Sequence, residues 1–194
     1  MNWKDISPSK IHRLFYPQVP VVITVEFDGR IGGMPAIWHT PLSFDPPLVG
    51  VAVAPEHKTY EMIIRAKAFG VNWLDFSYAR QVGKLGESSG KDCTNKLGAV
   101  GLSIVRKSDS GPPLIAESRA VLECLLSERH RTGTHELFIG RVVSAWGDES
   151  FGDYWDDARY NALLYVGTER GKGKAWVFRS MRGEQVIVPL HQRL

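Results

Sequence analysis

Along this chain, short apolar segments alternate with turn residues at hairpin distances. The first is VPVVITVEF at 19–27, rich in β-branched side chains. Asp28-Gly29 follows, a pair suited to two-residue hairpins, and predicts a strand, a turn and a return strand through IGGMPAIWH. Gly32 and Gly33 would weaken a plain strand, so they mark either a bulge or a close approach to the backbone. Pro46-Pro47 lacks amide donors and suits a strand entrance; Leu48 to Ala54 then shows no polar alternation, which predicts burial on both faces. In HKTYEMIIRAKAF, Tyr60, Ile63 and Ile64 recur at helical spacing behind Thr59, a candidate N-cap. FGVNWLDF returns to strand composition, SYARQVGKLG predicts a short helix capped by Ser77, and ESSGKDCTNKL reads as a loop. PLIAESRAVLECLLSERH and THELFIGRVVSAWG predict two long antiparallel strands around a turn with Gly133, and NALLYVG and KAWVFR supply the last strands. The pattern predicts a mainly β fold, a closed or partly closed antiparallel barrel with a few α-helices at its periphery, and not a doubly wound nucleotide fold.

Composition narrows the function classes. The 194 residues suffice for one substantial core, and a single domain is expected, with its core at about 11–146 and strands in 160–180 completing it. Hydrophobic residues at 43% and charged residues at 23% exclude disorder. The net charge of +3 is spread along the chain, and ERGKGK contains an acid and reads as a solvated turn. Nucleic-acid binding would need a basic groove interleaved with exposed aromatics, whereas the six tryptophans sit mostly within apolar strands. No secretory signal is expected from the N-terminal residues, and the longest apolar run is too short to span a bilayer. Cys93 and Cys124, without C-x-x-C spacing, argue against a zinc site and a disulfide framework. A soluble, cytoplasmic protein without membrane or nucleic-acid partners is the expectation.

Two stretches carry candidate chemistry. A helix starting at Thr59 would aim its free amides and partial positive charge at whatever lies beyond the buried strand; Lys58, the Thr59 hydroxyl and His57 add to what a phosphate monoester needs. The same residues also suit a plain cap with Lys58 and His57 in solvent. In MPAIWHTPLS, Pro35 and the preceding glycines loosen strand pairing beside Trp38, His39 and Thr40, where free backbone could grip a planar ring; an edge strand with a buried tryptophan is the alternative. His135 opens a strand, whereas His12, His130 and His191 have less context. The acidic GDESFGDYWDD lacks calcium-loop spacing. GESSGKD falls one residue short of a P-loop, and neither G-x-S-x-G nor H-E-x-x-H occurs, which counts against hydrolases and NTPases.

An ordered set of segments, HRLFYPQVPVVITV, AIWHTPLSFDPPLVGVAV followed by HKTY, FGVNWL, SGKD with NKL, LEC and THELFIGRVV, resembles the flavin reductase-like family of FMN-binding split barrels, in particular its flavoredoxin-type members. The resemblance covers about Ile11 to Trp146. It implies an antiparallel split β-barrel and a homodimer with FMN at the subunit interface. By the same resemblance, Ala36, Trp38, His39 and Thr40 lie near the flavin ring or ribityl chain. The segment from Ala54 through His57, Lys58 and Thr59 lies at the phosphate; Lys91, Asp92 and Lys96 sit on a loop closing over the cofactor; Asn72 and a catalytic His135 lie near the ring. The chain departs from the family at Gly32, where many relatives carry asparagine, and at Asn95, where they often carry an acid. The implied activity is electron transfer from NADH or NADPH through FMN to a free flavin, a metal ion, a flavin-dependent monooxygenase or another redox protein. An FMN-binding electron carrier with little NAD(P)H reductase activity is the alternative. Flavin carries the redox chemistry, so no nucleophile or acid-base triad is expected.

Overall fold

A computed structural model describes residues 3–88, 93–170 and 174–190. A 3-10 helix, Pro8–Phe15, precedes β1 (Val21–Phe27), β2 (Arg30–Ala36), β3 (His39–Phe44) and β4 (Pro47–Val53). Helix α1 (Lys58–Ala66) leads to β5 (Ala68–Trp73); a 3-10 turn, Phe76–Tyr78, then runs into α2 (Ala79–Glu87). The short α3 (Lys96–Ala99) and the small β6 (Ile104–Val105) and β7 (Leu114–Ile115) follow. Two long strands, β8 (Ala120–Thr132) and β9 (His135–Gly147), come next, then β10 (Leu163–Arg170), β11 (Lys174–Ser180) and β12 (Gln185–Leu190).

The large sheet has seven strands in the order β2-β1-β5-β8-β9-β4-β3, every neighbouring pair antiparallel. Asp28 and Gly29 both take positive φ, 53° and 67°, the conformation that a tight two-residue hairpin needs to match strand twist. The fold is mainly β and antiparallel, as expected, but its hydrogen bonding is that of an open sheet. Among the described residues, no ladder joins β2 to β3. Pro35 in β2 and Pro41 in β3 have no N–H to give across such a seam. The sheet nonetheless curls: the His39 ring at the start of β3 reaches back to Val19 ahead of β1, Nε2 lying 2.8 Å from the Val19 carbonyl.

Several local expectations change. Gly32 and Gly33 lie in an unbroken register between β1 and β2, so they form no bulge. They admit close neighbours instead: a Cβ on Gly33 would lie 2.7 Å from Leu97 Cδ2, and one on Gly32 2.9 Å from Met62 Sδ. The return strand stops at Ala36, and a separate edge strand, β3, begins at His39. Asp75, not Ser77, caps the turn before α2, its carboxylate accepting from the Ser77 amide at 3.0 Å. A third C-terminal strand, β12, lay beyond the two expected.

Two apolar clusters fill the fold. One lies in the hollow of the curled sheet, where Val21, Ile23, Val51, Val53, Phe69, Val71 and Phe138 meet Met62 and Ile63 of α1. The other joins the sheet's outer side to the C-terminal strands through Val22, Leu74, Val82, Leu85, Leu97, Leu163 and Phe178. Each fully buried large side chain contributes about 1.5–3 kcal/mol by removal from water. Cys93 and Cys124 are free thiols, and burial pushes the Cys124 thiol up to about 12. No helix among the described residues is long and apolar enough to cross a membrane.

Candidate functional site

Four segments meet at one corner of the large sheet. They are the β2–β3 connection, the end of β4 leading into α1, α3, and the start of β9. Strand pairing sets much of this: Val53 faces Glu136, His39 faces Val51, and the Ala52 amide donates to the Trp38 carbonyl at 2.9 Å. The segment before α3 docks on β2 through an Ile31 amide bond to the Thr94 carbonyl of 2.8 Å.

The N-cap of α1 lies two residues before the one that the sequence predicts. His57, with extended φ and ψ of −78° and 134°, occupies the N-cap position and makes no side-chain cap bond. Thr59 lies buried in the first turn, so it is not the cap. The Tyr60 amide donates to the His57 carbonyl at 3.0 Å, which leaves the Lys58 and Thr59 amides and the helix's partial positive charge for an anion. Lys58 is not a free cation, because its Nζ is 2.6 Å from Glu61 Oε2 on the same helix. Ala54 is buried just before the helix, and its carbonyl accepts from the His57 amide at 3.2 Å. His57 is pushed below its ordinary value, chiefly by burial, with Glu56 opposing and Lys96 and His135 adding to the effect. His57, Lys96 and His135 thus share one neighbourhood although 78 positions separate the first from the last.

Lys96 is the most unusual group at this corner. Only 6% of it is exposed, and its Nζ donates to the Gly33 carbonyl at 2.8 Å. Among the described residues, no carboxylate lies within ion-pair distance of it. Burial lowers its pKa from 10.5 to about 8, partly offset by the Cys93 thiol. An ammonium held in a dry place with one neutral acceptor favours an anionic partner.

On the other side of the β2–β3 connection, the rings of Trp38 and His135 are 4.5 Å apart, tilted by 44°. The Thr134 hydroxyl lies 2.9 Å from His135 Nδ1, and His12 approaches Trp38 edge-on at 6.1 Å. His39 is lowered mainly by burial; facing a carbonyl, it is neutral with its proton on Nε2. Trp38, His39 and Thr40 line an apolar cleft of about 640 Å³, together with His12 and Phe15 of the first 3-10 helix and Leu137 of β9. Thr40 is exposed there, and Ala36 is buried at the end of β2. Sequence reasoning missed the contribution of His12 and Phe15. The available signal was an amphipathic segment whose apolar residues Ile11, Leu14 and Phe15 stay exposed.

Ala36, Trp38, His39, Thr40, Ala54, His57, Lys58, Thr59, Lys96 and His135 therefore belong to one region. The structure does not bring Asn72 to it. Asn72 is fully buried in β5, where Nδ2 donates to the Val22 carbonyl at 2.8 Å and to Thr24 Oγ1 at 3.0 Å. Its Oδ1 accepts from the Ile115 amide at 2.8 Å, which commits the side chain to the core. Lys91 and Asp92 lie outside the described residues.

Comparison with known proteins gives this geometry its context. An uncharacterised protein of Aeropyrum pernix is 37% identical over 182 residues, covering 93% of this chain and 69% of its own. An NADH-dependent FAD reductase of Streptomyces globisporus is 28% identical over 138 residues, covering 70% of this chain and 74% of its own. Among solved structures, an FMN-binding protein of Thermus thermophilus with bound p-hydroxybenzaldehyde superposes with a TM-score of 0.73 at 28% identity, over 100% of this chain and 99% of that one. The family model for the flavin reductase like domain matches residues 12–170, and the chain accordingly belongs to the flavin reductase-like family.

Proposed function

We propose that this protein binds FMN at the corner described above and passes electrons from NADH or NADPH through it to a second acceptor. The observation that carries the reading is Lys96, a buried ammonium with one neutral acceptor, set beside the uncapped start of α1 and the ring pair Trp38 and His135. A donor set of this kind fits a phosphate monoester joined to a flat ring, because it pairs anion-binding groups with an adjoining apolar cleft.

In this reading the first-turn amides of α1, His57 and Lys96 hold the phosphate, and a dianion there returns Lys96 to its full charge. Lys58 contributes only by leaving Glu61. Trp38, Ala36 and the β2–β3 backbone present a flat apolar surface to the ring. His135, oriented by Trp38 and Thr134, offers a hydrogen bond at the ring's edge and is the residue assigned to catalysis. His39 positions the β2–β3 connection through Val19 and keeps its proton on Nε2. Bound flavin would supply the hydride and electron chemistry. The exposed Ile11 and Phe15 of the cleft wall and Leu14 on the same 3-10 helix support a homodimer that covers it, with the cofactor at the interface. The names of the similar reductase and FMN-binding protein point the same way.

The test is a visible spectrum of the purified protein, followed by anaerobic addition of NADH or NADPH. Bound flavin absorbance that bleaches with either nucleotide is expected. A colourless protein that ignores added FMN overturns the cofactor reading, and a bound flavin that neither nucleotide reduces leaves an electron carrier instead.

A further inference from the structure

A second pocket, of about 420 Å³, lies at the end of β8 and β9 remote from His135. Its walls include Trp73, Leu122, Ala145, Trp146, Phe151 and Trp155. The volume is within the roughly 300–1,000 Å³ of small-molecule sites. Phe151 and Trp155 meet edge to face at 4.9 Å and fold the 148–156 segment back over the strands as one wall. The remaining lining residues are Ala120 and Gly147, so the only polar side-chain atoms in the walls are indole N–H groups. Charged groups stay outside the lining: Lys107, Arg119 and Asp148 line an adjoining pocket that shares Ala120, Trp146 and Gly147, and Lys107 sits 6.0 Å from the Trp146 ring.

That inventory selects a ligand class. No lining side chain accepts a hydrogen bond or carries charge, and the only polar groups that these side chains own are three indole N–H donors, so the matching molecule is flat, uncharged and equipped with carbonyl acceptors. A phosphorylated tail would find no counter-charge in the lining. The pocket also adjoins the cofactor cleft, since Trp73, one of its walls, meets His39 of that cleft edge to face at 6.4 Å. We propose that this aromatic pocket binds a quinone, the acceptor for the electrons. The acceptor role rests on the flavin reading above, whereas the binding does not. With reduced flavin bound in the neighbouring cleft, two electrons and two protons would go to the quinone, which would leave as hydroquinone, and oxidised flavin would be the other product.

Equilibrium dialysis of the full-length protein as purified against 2,3-dimethyl-1,4-naphthoquinone tests this, both addition-prone carbons being blocked against the free thiols. Saturable binding of one quinone per chain is expected. Ala145→Arg, at an exposed position of the lining, should weaken it at least tenfold, and Trp155→Ala by a similar factor, each with an unchanged circular dichroism spectrum. Trp3→Phe, an exposed indole elsewhere, should bind like the parent. Absence of saturable binding, or parent-like affinity in Ala145→Arg, overturns the proposal. So does a change of oligomeric state in Ala145→Arg with quinone affinity retained, because the pocket would then be a contact between copies. Failure of the protein to bind FMN would remove the flavin reading and leave this measurement readable.

Discussion

Lys96 offers the sharpest test of the site, because one substitution should act in opposite directions on stability and on cofactor binding. Burial lowers its pKa from 10.5 to about 8. At about 1.4 kcal/mol per pH unit, holding the ammonium in the folded chain costs about 3 kcal/mol. Lys96→Met removes that cost and forfeits the bond to the Gly33 carbonyl, worth about 1 kcal/mol. Flavin-free Lys96→Met should therefore be about 2 kcal/mol more stable than the parent at pH 7. The sign reverses with pH. Between about 8 and 10.5 the unfolded chain keeps the Lys96 proton while the folded chain releases it, so parent stability rises with pH relative to the variant. Above about pH 11 the penalty is gone and the variant should be less stable by about 1 kcal/mol, the value of the lost hydrogen bond, whereas at pH 10 about 0.8 kcal/mol of it remains and the two proteins should be nearly equal. Urea unfolding of both proteins at pH 7, 8.5 and 10 reads the difference directly, since all other titrating groups are common to the pair. With FMN the order changes, because loss of a charge-assisted bond to phosphate should weaken binding about 10- to 100-fold. A stability difference that stays constant from pH 7 to 10, or a variant less stable than the parent at pH 7, would refute the assignment of Lys96 as a strained cation.

The same geometry carries other expectations. FMN binding at pH 8.5 should take up protons as Lys96 regains its charge, seen by calorimetry in buffers of different ionisation enthalpy; equal heats in both would contradict it. Gly33→Ala sets a Cβ against Leu97 and should cost about 1–3 kcal/mol in urea melts, with weaker FMN binding as α3 shifts; a neutral effect would mean that α3 yields freely. Asn72→Ala deletes three buried hydrogen bonds and should cost about 2–4 kcal/mol in unfolding while leaving FMN affinity within a factor of two; a selective loss of affinity would return Asn72 to the site. Trp38→Ala removes the face packed on His135 and should weaken FMN about tenfold by equilibrium dialysis, with little change in melting.

The sequence made local elements legible where one chemical pattern dominated. Asp28-Gly29 announced its hairpin, and the unbroken apolar run ending at Ala54 announced a strand, because turn chemistry acts within a few residues; that strand's burial is one-sided, with Val49, Val51 and Val53 in the core and half-buried Ala52 on the cleft face. Placement of the helix N-caps failed for a reason of the same scale. Thr59 and Ser77 have capping side chains, but His57 stands at the N-cap of α1, Tyr78 at that of α2, and Asp75 caps the 3-10 turn between, so each cap lies within two residues of the expected one. The role of Asn72 was illegible because its partners Thr24 and Ile115 lie 48 and 43 positions away. The meeting of His57, Lys96 and His135 has no local signature either. It came from resemblance alone, and strand order brings those residues together. The twin glycines at 32 and 33 leave a bulge and a close approach equally open in the sequence, and only the fold selects the second and names the neighbours, Leu97 and Met62.

Both rims of the seven-stranded sheet are already spent. Along β2, the Ile31 amide and the Gly33 carbonyl are taken by Thr94 and Lys96, and Pro35 has no donor. Along β3, Pro41 and the irregular pairing between Pro41 and Ser43 interrupt the row. A foreign strand finds no continuous template on either side of this sheet, which protects these two rims from edge-to-edge growth. Assembly through this sheet must be built by side chains meeting face to face, not by lengthening it.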